Sequence, residues 1–201
     1  MDFSKVKAAL ELRGFKVSIF ASSAEASRYL NEQIDGMSVS SGGSITLEQT
    51  GILASLAQHN ELISHWHVPE GKSPDEVRLQ AMTTDVYLSS VNGLAETGEL
   101  INIDGTGNRV GSTLFGHKKV YFVVGRNKLA PTYEDALWRA RNIAAPRNAQ
   151  RLGVKAPCAE KADRCYDCKS PERICRGLVV LWEAMKSCET EVVLVDEELG
   201  Y

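Results

Sequence analysis

The chain has 201 residues, of which 43% are hydrophobic and 24% charged, with a formal net charge of -3 at pH 7. That length suits one domain with a sizeable core, or one domain with a small appendage, and speaks against two full domains. A balance so close to neutral, without a basic stripe of interleaved aromatics, excludes bulk attraction to nucleic acid or to an anionic membrane surface.

The opening MDFSKVKAALELRG carries charges throughout, lacks an apolar signal core, and places Val6, Ala9, Leu10 and Leu12 at helical spacing. FKVSIF (15–20) follows as a strand, and Ser22 or Ser23 caps a second helix ending near Ile34. MSVSSGG reads as a strand running into a glycine loop, LEQTGILASLAQ as a helix, and ELISHW as strand-like. Ser73 opens the next helix with Pro74 at its first position, where a missing amide hydrogen costs nothing. VYLSSV is the next strand. Gly98 to Ile103 and Lys119 to Val124 supply two more, with a short helix over Arg109 to Phe115 between them and a longer one from Thr132 to Ala144. Beyond Pro146 periodicity fades into APCAEKADRCYDCKSPERICRG. Two apolar runs then resume, GLVVLWEAM and EVVLVDEEL; they are expected to pair as an antiparallel hairpin at the sheet edge, with a helix over Cys175 to Lys186 as the alternative. Strands alternating with helices predict an α/β fold: a mostly parallel sheet with helices on both faces, and ligands at the carboxyl ends of its strands. The expected organisation is one domain over residues 1–201, with residues 1–35 and the cysteine-rich loop 156–176 as appendages.

The stretch from Asp85 to Lys128 concentrates small, amide and acidic residues in loops between β-rich runs, more than a core built for stability needs, since each unpartnered buried polar group costs about 1–3 kcal/mol. Gly42-Gly43-Ser44, followed by Thr46, joins a strand to a helix and offers bare amides and hydroxyls to an anion; the plainer alternative is a tight turn that needs glycine at positive φ. Asp104-Gly105-Thr106-Gly107-Asn108-Arg109 offers a second loosened backbone, whose guanidinium could fork onto a carboxylate or phosphate, or a loop stapled by its own Asp and Asn. Ser90 and Asn92 lie beside it in sequence, and Lys128 either closes the site as a cation or is an exposed loop lysine.

Cys158, Cys165, Cys168 and Cys175 follow the spacing C-x6-C-x2-C-x6-C. Four soft ligands in one irregular segment satisfy the inventory of a zinc or iron-sulfur site; free or redox-switched thiols are the alternative. Cys188 lies apart and reads as an idle thiol. His65 and His67 complete no ligand set with His59 or His117 and read as surface or packing residues, and the tryptophans, Trp66 among them, as fillers of core or interface space.

These motifs, in order, carry a resemblance: Gly42-Gly43-Ser44-Ile45-Thr46-Leu47, Leu88-Ser89-Ser90-Val91-Asn92, Glu96-Thr97-Gly98-Glu99, Asp104 to Arg109, Gly125-Arg126-Asn127-Lys128, Ala145-Pro146-Arg147-Asn148 and the cysteine cluster. Together they resemble the LUD family, the lactate utilization proteins of the LutC/YkgG type. His117 before Lys118 and Gly93-Leu94 depart from its usual pattern without removing a polar group. The resemblance implies a three-layer fold akin to the NagB/RpiA/CoA-transferase superfamily, while the glycine loops by themselves point to a small anionic metabolite as ligand. It also implies iron-sulfur lactate-oxidising partner proteins in a bacterial cytoplasm, a labile cluster before zinc at the cysteines, and room for a homo-oligomer. Because a loop carboxylate does acid/base or acyl-accepting work in that superfamily, Glu96 is the first catalytic candidate, with Asp85 and Asp104 behind it. A solvated turn residue is the alternative for Glu96.

Overall fold

The computed structural model describes residues 2–201. Helix α1 (Ser4–Leu12) leads to strand β1 (Lys16–Phe20) and to α2 (Ser23–Gln33), whose cap is the Ser22 hydroxyl accepting from the Glu25 amide at 3.3 Å. β2 (Ser38–Ser41) enters the glycine loop. The following helical run is split into α3 (Ile45–Thr50) and α4 (Ile52–Leu56) because Gly51, at φ 65°, ends the first segment in the left-handed conformation. After β3 (Glu61–Ile63) comes α5 (Pro74–Gln80), which carries a full capping box between Ser73 and Glu76. Then follow β4 (Val86–Ser89), β5 (Gly93–Ala95), β6 (Leu100–Asp104), α6 (Asn108–Leu114), β7 (Lys119–Gly125), β8 (Leu129–Ala130) and α7 (Tyr133–Arg139). The chain closes with α8 (Ala145–Leu152), α9 (Pro157–Lys161), β9 (Gly177–Leu181) and β10 (Glu189–Val195).

Six strands form one sheet in the order β1-β10-β7-β4-β2-β3, parallel at every pairing. Its central strands are apolar on both faces, as a sheet covered on both sides requires. In β7, Val120, Phe122 and Val124 face one layer while Tyr121 and Val123 face the other. Against Tyr121 and Val123 pack Ala26 and Leu30 of α2 with Ile34 just after it, Leu47 of α3, and Ile52 and Leu56 of α4. Each of these large side chains is fully buried, which contributes about 1.5–3 kcal/mol per residue. The opposite face receives Val6 and Leu10 of α1 and a second sheet, β8-β5-β6-β9, through Leu94, Leu100 and Leu181. The outer face of that second sheet presents Ala95, Ile101 and Ala130 to Ala136 of α7. Small residues allow this close packing: a Cβ on Gly93 would stand 2.4 Å from the Ala136 carbonyl oxygen.

Three expectations are corrected. The two last apolar runs do not pair as an edge hairpin: β9 lies antiparallel to β6 in the second sheet, while β10 sits between β1 and β7. A strand buried from Thr190 to Val195 belongs inside a parallel sheet, where both faces are covered. The N-terminal segment expected as an appendage is integral, with Phe3, Val6 and Leu10 in the main core and β1 in the sheet; of that segment, Met1 lies outside the described residues. Finally, helix does not stop at Ala144. A widened π-type turn over Ala140–Ala144 links α7 to α8, which places Pro146 at the start of a new helical segment and absorbs the hydrogen bond that a proline ring cannot donate.

Candidate functional site

The loops that leave the carboxyl ends of β2, β4 and β7, the loop from β6 into α6, and α8 together build the site. Lys128, in a turn just after β7, is 4% exposed and donates to the Thr46 hydroxyl at 2.9 Å and the Ser90 hydroxyl at 3.0 Å. Both hydroxyls pass their own hydrogens on, Ser90 to the Val123 carbonyl at 2.6 Å and Thr46 to the Leu199 carbonyl at 3.3 Å. They are therefore acceptors toward the amine. Burial, reinforced by the charges of Arg139 and Arg109, pulls the Lys128 ammonium down to a pKa of about 7. Two of its three nitrogen positions are engaged; the remaining one is a lone pair when the amine is neutral and an N–H donor when it is charged.

Two guanidiniums stand beside it. Arg109 of α6 lies 3.5 Å from the Asp104 carboxylate and donates to the Ile103 carbonyl and, at 3.4 Å, to the Asn92 side chain. Arg139 donates to the backbone oxygens of Asn127, Asn92 and Tyr201 at 2.8, 2.7 and 3.1 Å, and burial next to Arg147 lowers it to a pKa of about 10. Arg151 of α8 is held by Asn148 Oδ1 at 2.8 and 3.1 Å and lies 5.7 Å from the Trp66 ring. Lys128, Ser44, Thr46, Ser90, Asn92, Arg109, Asn148 and Arg151 line a hollow of about 40 Å³ whose lining side chains include no carboxylate. It adjoins a larger cleft of about 370 Å³, with which it shares Gly43, Asn92, Arg109, Asn148 and Arg151. That cleft is lined also by Asp104, Gly105, Thr106 and Asn108 and by His65, Trp66 and Arg78. Ser44 and Asn108 thus belong to adjoining spaces at one edge of the sheet.

The glycines have separate reasons. Gly42 and Gly43 are not at positive φ, contrary to the tight-turn alternative. They are small because a Cβ would meet the Tyr87 hydroxyl at 2.8 Å in one case and the Trp66 ring at 2.9 Å in the other. Gly107 does take the left-handed conformation, φ 94°, as it starts α6. Of the ligand-binding candidates, Gly42 and Gly107 only shape backbone, and the other ten line the hollow or the cleft. Ser44 also caps α3, its hydroxyl accepting from the Leu47 amide at 3.4 Å.

The three acid candidates separate. Glu96 sits in the turn between β5 and β6, paired with Lys5 of α1 at 2.5 Å, outside both spaces. Asp85 precedes β4 and so lies at the opposite edge of the sheet, 2.7 Å from both Lys118 Nζ and Ser38 Oγ, which hold its carboxyl well below the usual carboxylate range. Only Asp104 reaches the cleft. Its oxygens accept from the amides of Thr106 and Gly107 at 3.1 Å and of Val110 at 3.3 Å, so it staples the loop as well as facing Arg109. The sequence reading missed Trp66, Arg78, Arg139, Asn148 and Arg151. The one usable signal was the i, i+3 pair Asn148 and Arg151, hidden by ending the helix before Pro146.

The four cysteines of the C-x6-C-x2-C-x6-C run are gathered around a separate cavity of about 250 Å³, with Arg141, Arg173 and Arg176 in its wall. Arg141 and Arg173 reach the sulfurs of Cys165 and Cys175 at 3.7 and 3.3 Å, and the Asp167 amide reaches Cys165 at 3.4 Å. Among the described residues, no three His, Cys, Asp or Glu side chains converge on a single-ion point. Cys188 lies elsewhere, packed against the main core.

A protein-family model described as LUD domain matches residues 3–195. Among solved structures, the chain is similar to a DUF162 family protein from Deinococcus radiodurans, at 13% identity and a TM-score of 0.54, over 97% of this chain and 99% of that one. It is also similar to ribose 5-phosphate isomerase A from Neisseria gonorrhoeae, at 11% identity and a TM-score of 0.33, over 54% of this chain and 53% of that one. No curated protein matches. Among the described residues, no helix is long and apolar enough to cross a membrane.

Proposed function

From the premise that this chain belongs to the LUD domain family, we propose that it binds a small anionic metabolite, a carboxylate or a phosphate, and acts in or with a lactate-to-pyruvate oxidation system. The observation that carries the reading is Lys128, a buried amine held by two hydroxyls in a hollow lined also by Arg109 and Arg151. A cation poised near neutrality gains most from an incoming anion, because the anion supplies the missing counter-charge and draws a proton onto the amine. The hollow takes the charged group, and the larger cleft with Trp66 and Asn108 takes the remainder of the ligand. Iron-sulfur lactate-oxidising proteins of a bacterial cytoplasm are the proposed partners.

A second reading, a metabolite-sensing subunit without its own catalysis, draws support from the placement of the acids. Glu96 and Asp85 are paired away from the cleft, and Asp104 is committed to its loop and to Arg109. Calorimetric titration of the full chain with inorganic phosphate, pyruvate and lactate tests the shared premise. At least one of these anions is expected to bind, and to bind more weakly to Lys128→Met; binding of none, or equal binding by wild type and variant, would sink both readings.

A further inference from the structure

We propose that the cavity ringed by Cys158, Cys165, Cys168 and Cys175 is the binding site of a [4Fe–4S] cluster. Donor chemistry and space agree. Four thiols from one helix and the loop after it face a volume of about 250 Å³. Tetrahedral zinc, with Zn–S bonds of about 2.3 Å, needs sulfurs drawn to one point. Among the described residues no three ligand side chains form such a single-ion group, whereas the four cysteines all line one cavity, the arrangement of a cubane whose irons stand apart and each take one thiolate.

The cavity wall carries the charge such a cluster requires. On binding, each thiol gives its proton to solvent and forms one Fe–S bond, which makes an oxidised cubane with four thiolates a dianion. Arg141, Arg173 and Arg176 line the same cavity, and two of them already reach cysteine sulfurs. With the Asp167 amide on Cys165, these are the sulfur hydrogen bonds by which a protein holds and tunes a cluster. Each guanidinium also has a local partner, Arg141 with Asp167 at 3.2 Å, Arg173 with the Cys168 carbonyl at 2.9 Å and Arg176 with the Pro171 carbonyl at 2.6 Å, which fixes the three cations in the cavity wall. The rest of the wall is apolar, from Ile103, Ala145, Ala149, Ile174 and Leu178.

This proposal stands independently of the anion reading. Its test is reconstitution of the full chain under nitrogen with ferric iron, sulfide and excess dithiothreitol, the thiol supplying the electrons that reduce part of the iron. The expected result is about four iron and four sulfide per chain, a broad visible absorption that dithionite bleaches, and alkylation by iodoacetamide at Cys188 alone. Cys165→Ser combined with Cys168→Ser should lose the colour and at least tenfold of the iron, while Cys188→Ser retains both. Circular dichroism of the metal-free double variant, matched to metal-free wild type, separates lost ligation from lost folding. The alkylation pattern on wild type needs no variant at all. A colourless protein with stoichiometric zinc, no metal after reconstitution, iron retained by the double variant, or five equally alkylated cysteines would each overturn the proposal.

Discussion

The two edges of the six-stranded sheet treat their most deeply buried charge in different ways. At the amino edge, the charges that start β1, β7 and β10 or precede β4 are matched: Lys119 lies 2.8 Å from Glu189 and 3.4 Å from Glu191, Lys16 lies 3.8 Å from Glu191, and Asp85 pairs with Lys118. Glu191 is fully buried, yet the Tyr29 and Ser18 hydroxyls also reach it at 2.7 Å. At the carboxyl edge, Arg109 and Arg126 are paired with Asp104 and Asp196, but Lys128, Arg139 and Arg151 hydrogen-bond to hydroxyl, amide and backbone oxygens. Burying a cation whose partners are neutral hydroxyls is costly, and the depressed pKa of Lys128 is the record of that cost. The first arrangement serves stability. The second makes sense where an anion completes it.

The sharpest way to break this contrast is Glu191→Ala, which strips the buried partner from Lys119. It should destabilise the fold by about 3–5 kcal/mol in chemical denaturation and leave phosphate affinity unchanged; a loss of affinity in still-folded protein would show that the edges are not separable. Lys128→Met does the reverse. Removing one charge-assisted contact should weaken phosphate binding roughly 10- to 100-fold, with stability equal to or above wild type because Thr46 and Ser90 keep their carbonyl partners.

The contrast also has a pH signature. Lys128 titrates near 10.5 when unfolded and near about 7 when folded, so between those values the unfolded chain holds a proton that the native state lacks. Its contribution to stability therefore rises with pH from about 7 to 10.5, a slope that Lys128→Met should abolish. Phosphate affinity moves the other way, falling up to about tenfold per pH unit above 7 in wild type but not in the variant. The smallest effect belongs to Glu96→Gln, half-exposed and paired with Lys5. Phosphate affinity should hold within about twofold and stability within about 1 kcal/mol; a large loss of affinity would bring this residue back to the site.

Local signals proved sound wherever their cause was local. Ser22 and Ser73 cap helices as expected, and the loop after β2 reaches the site because it leaves a parallel strand at its carboxyl end, while the loop before α6 arrives from β6 of the second sheet. Asp85 was misplaced because nearness in sequence ignores strand direction. Four residues of strand, rising about 3.3 Å each, put Asp85 and Ser90 on opposite edges of the sheet. Glu96 was misplaced because β5 and β6 belong to a second sheet whose short strands give almost no alternation to read.

The order of the main strands and helices up to Pro146, the caps, the glycine loops and the cysteine run were written in the chain, since each depends on the character of a few neighbouring residues, whereas the short β5 and β8 and the helices α8 and α9 were not. Tertiary structure alone decided that β10 runs through the middle of the sheet and that β9 joins the other one. It decided too that α8 continues past Pro146 to bring Arg151 over the cleft, and that Lys128 is buried. Those outcomes depend on which distant surfaces cover one another, and the free energy of covering is set by packing partners that no single stretch of sequence contains.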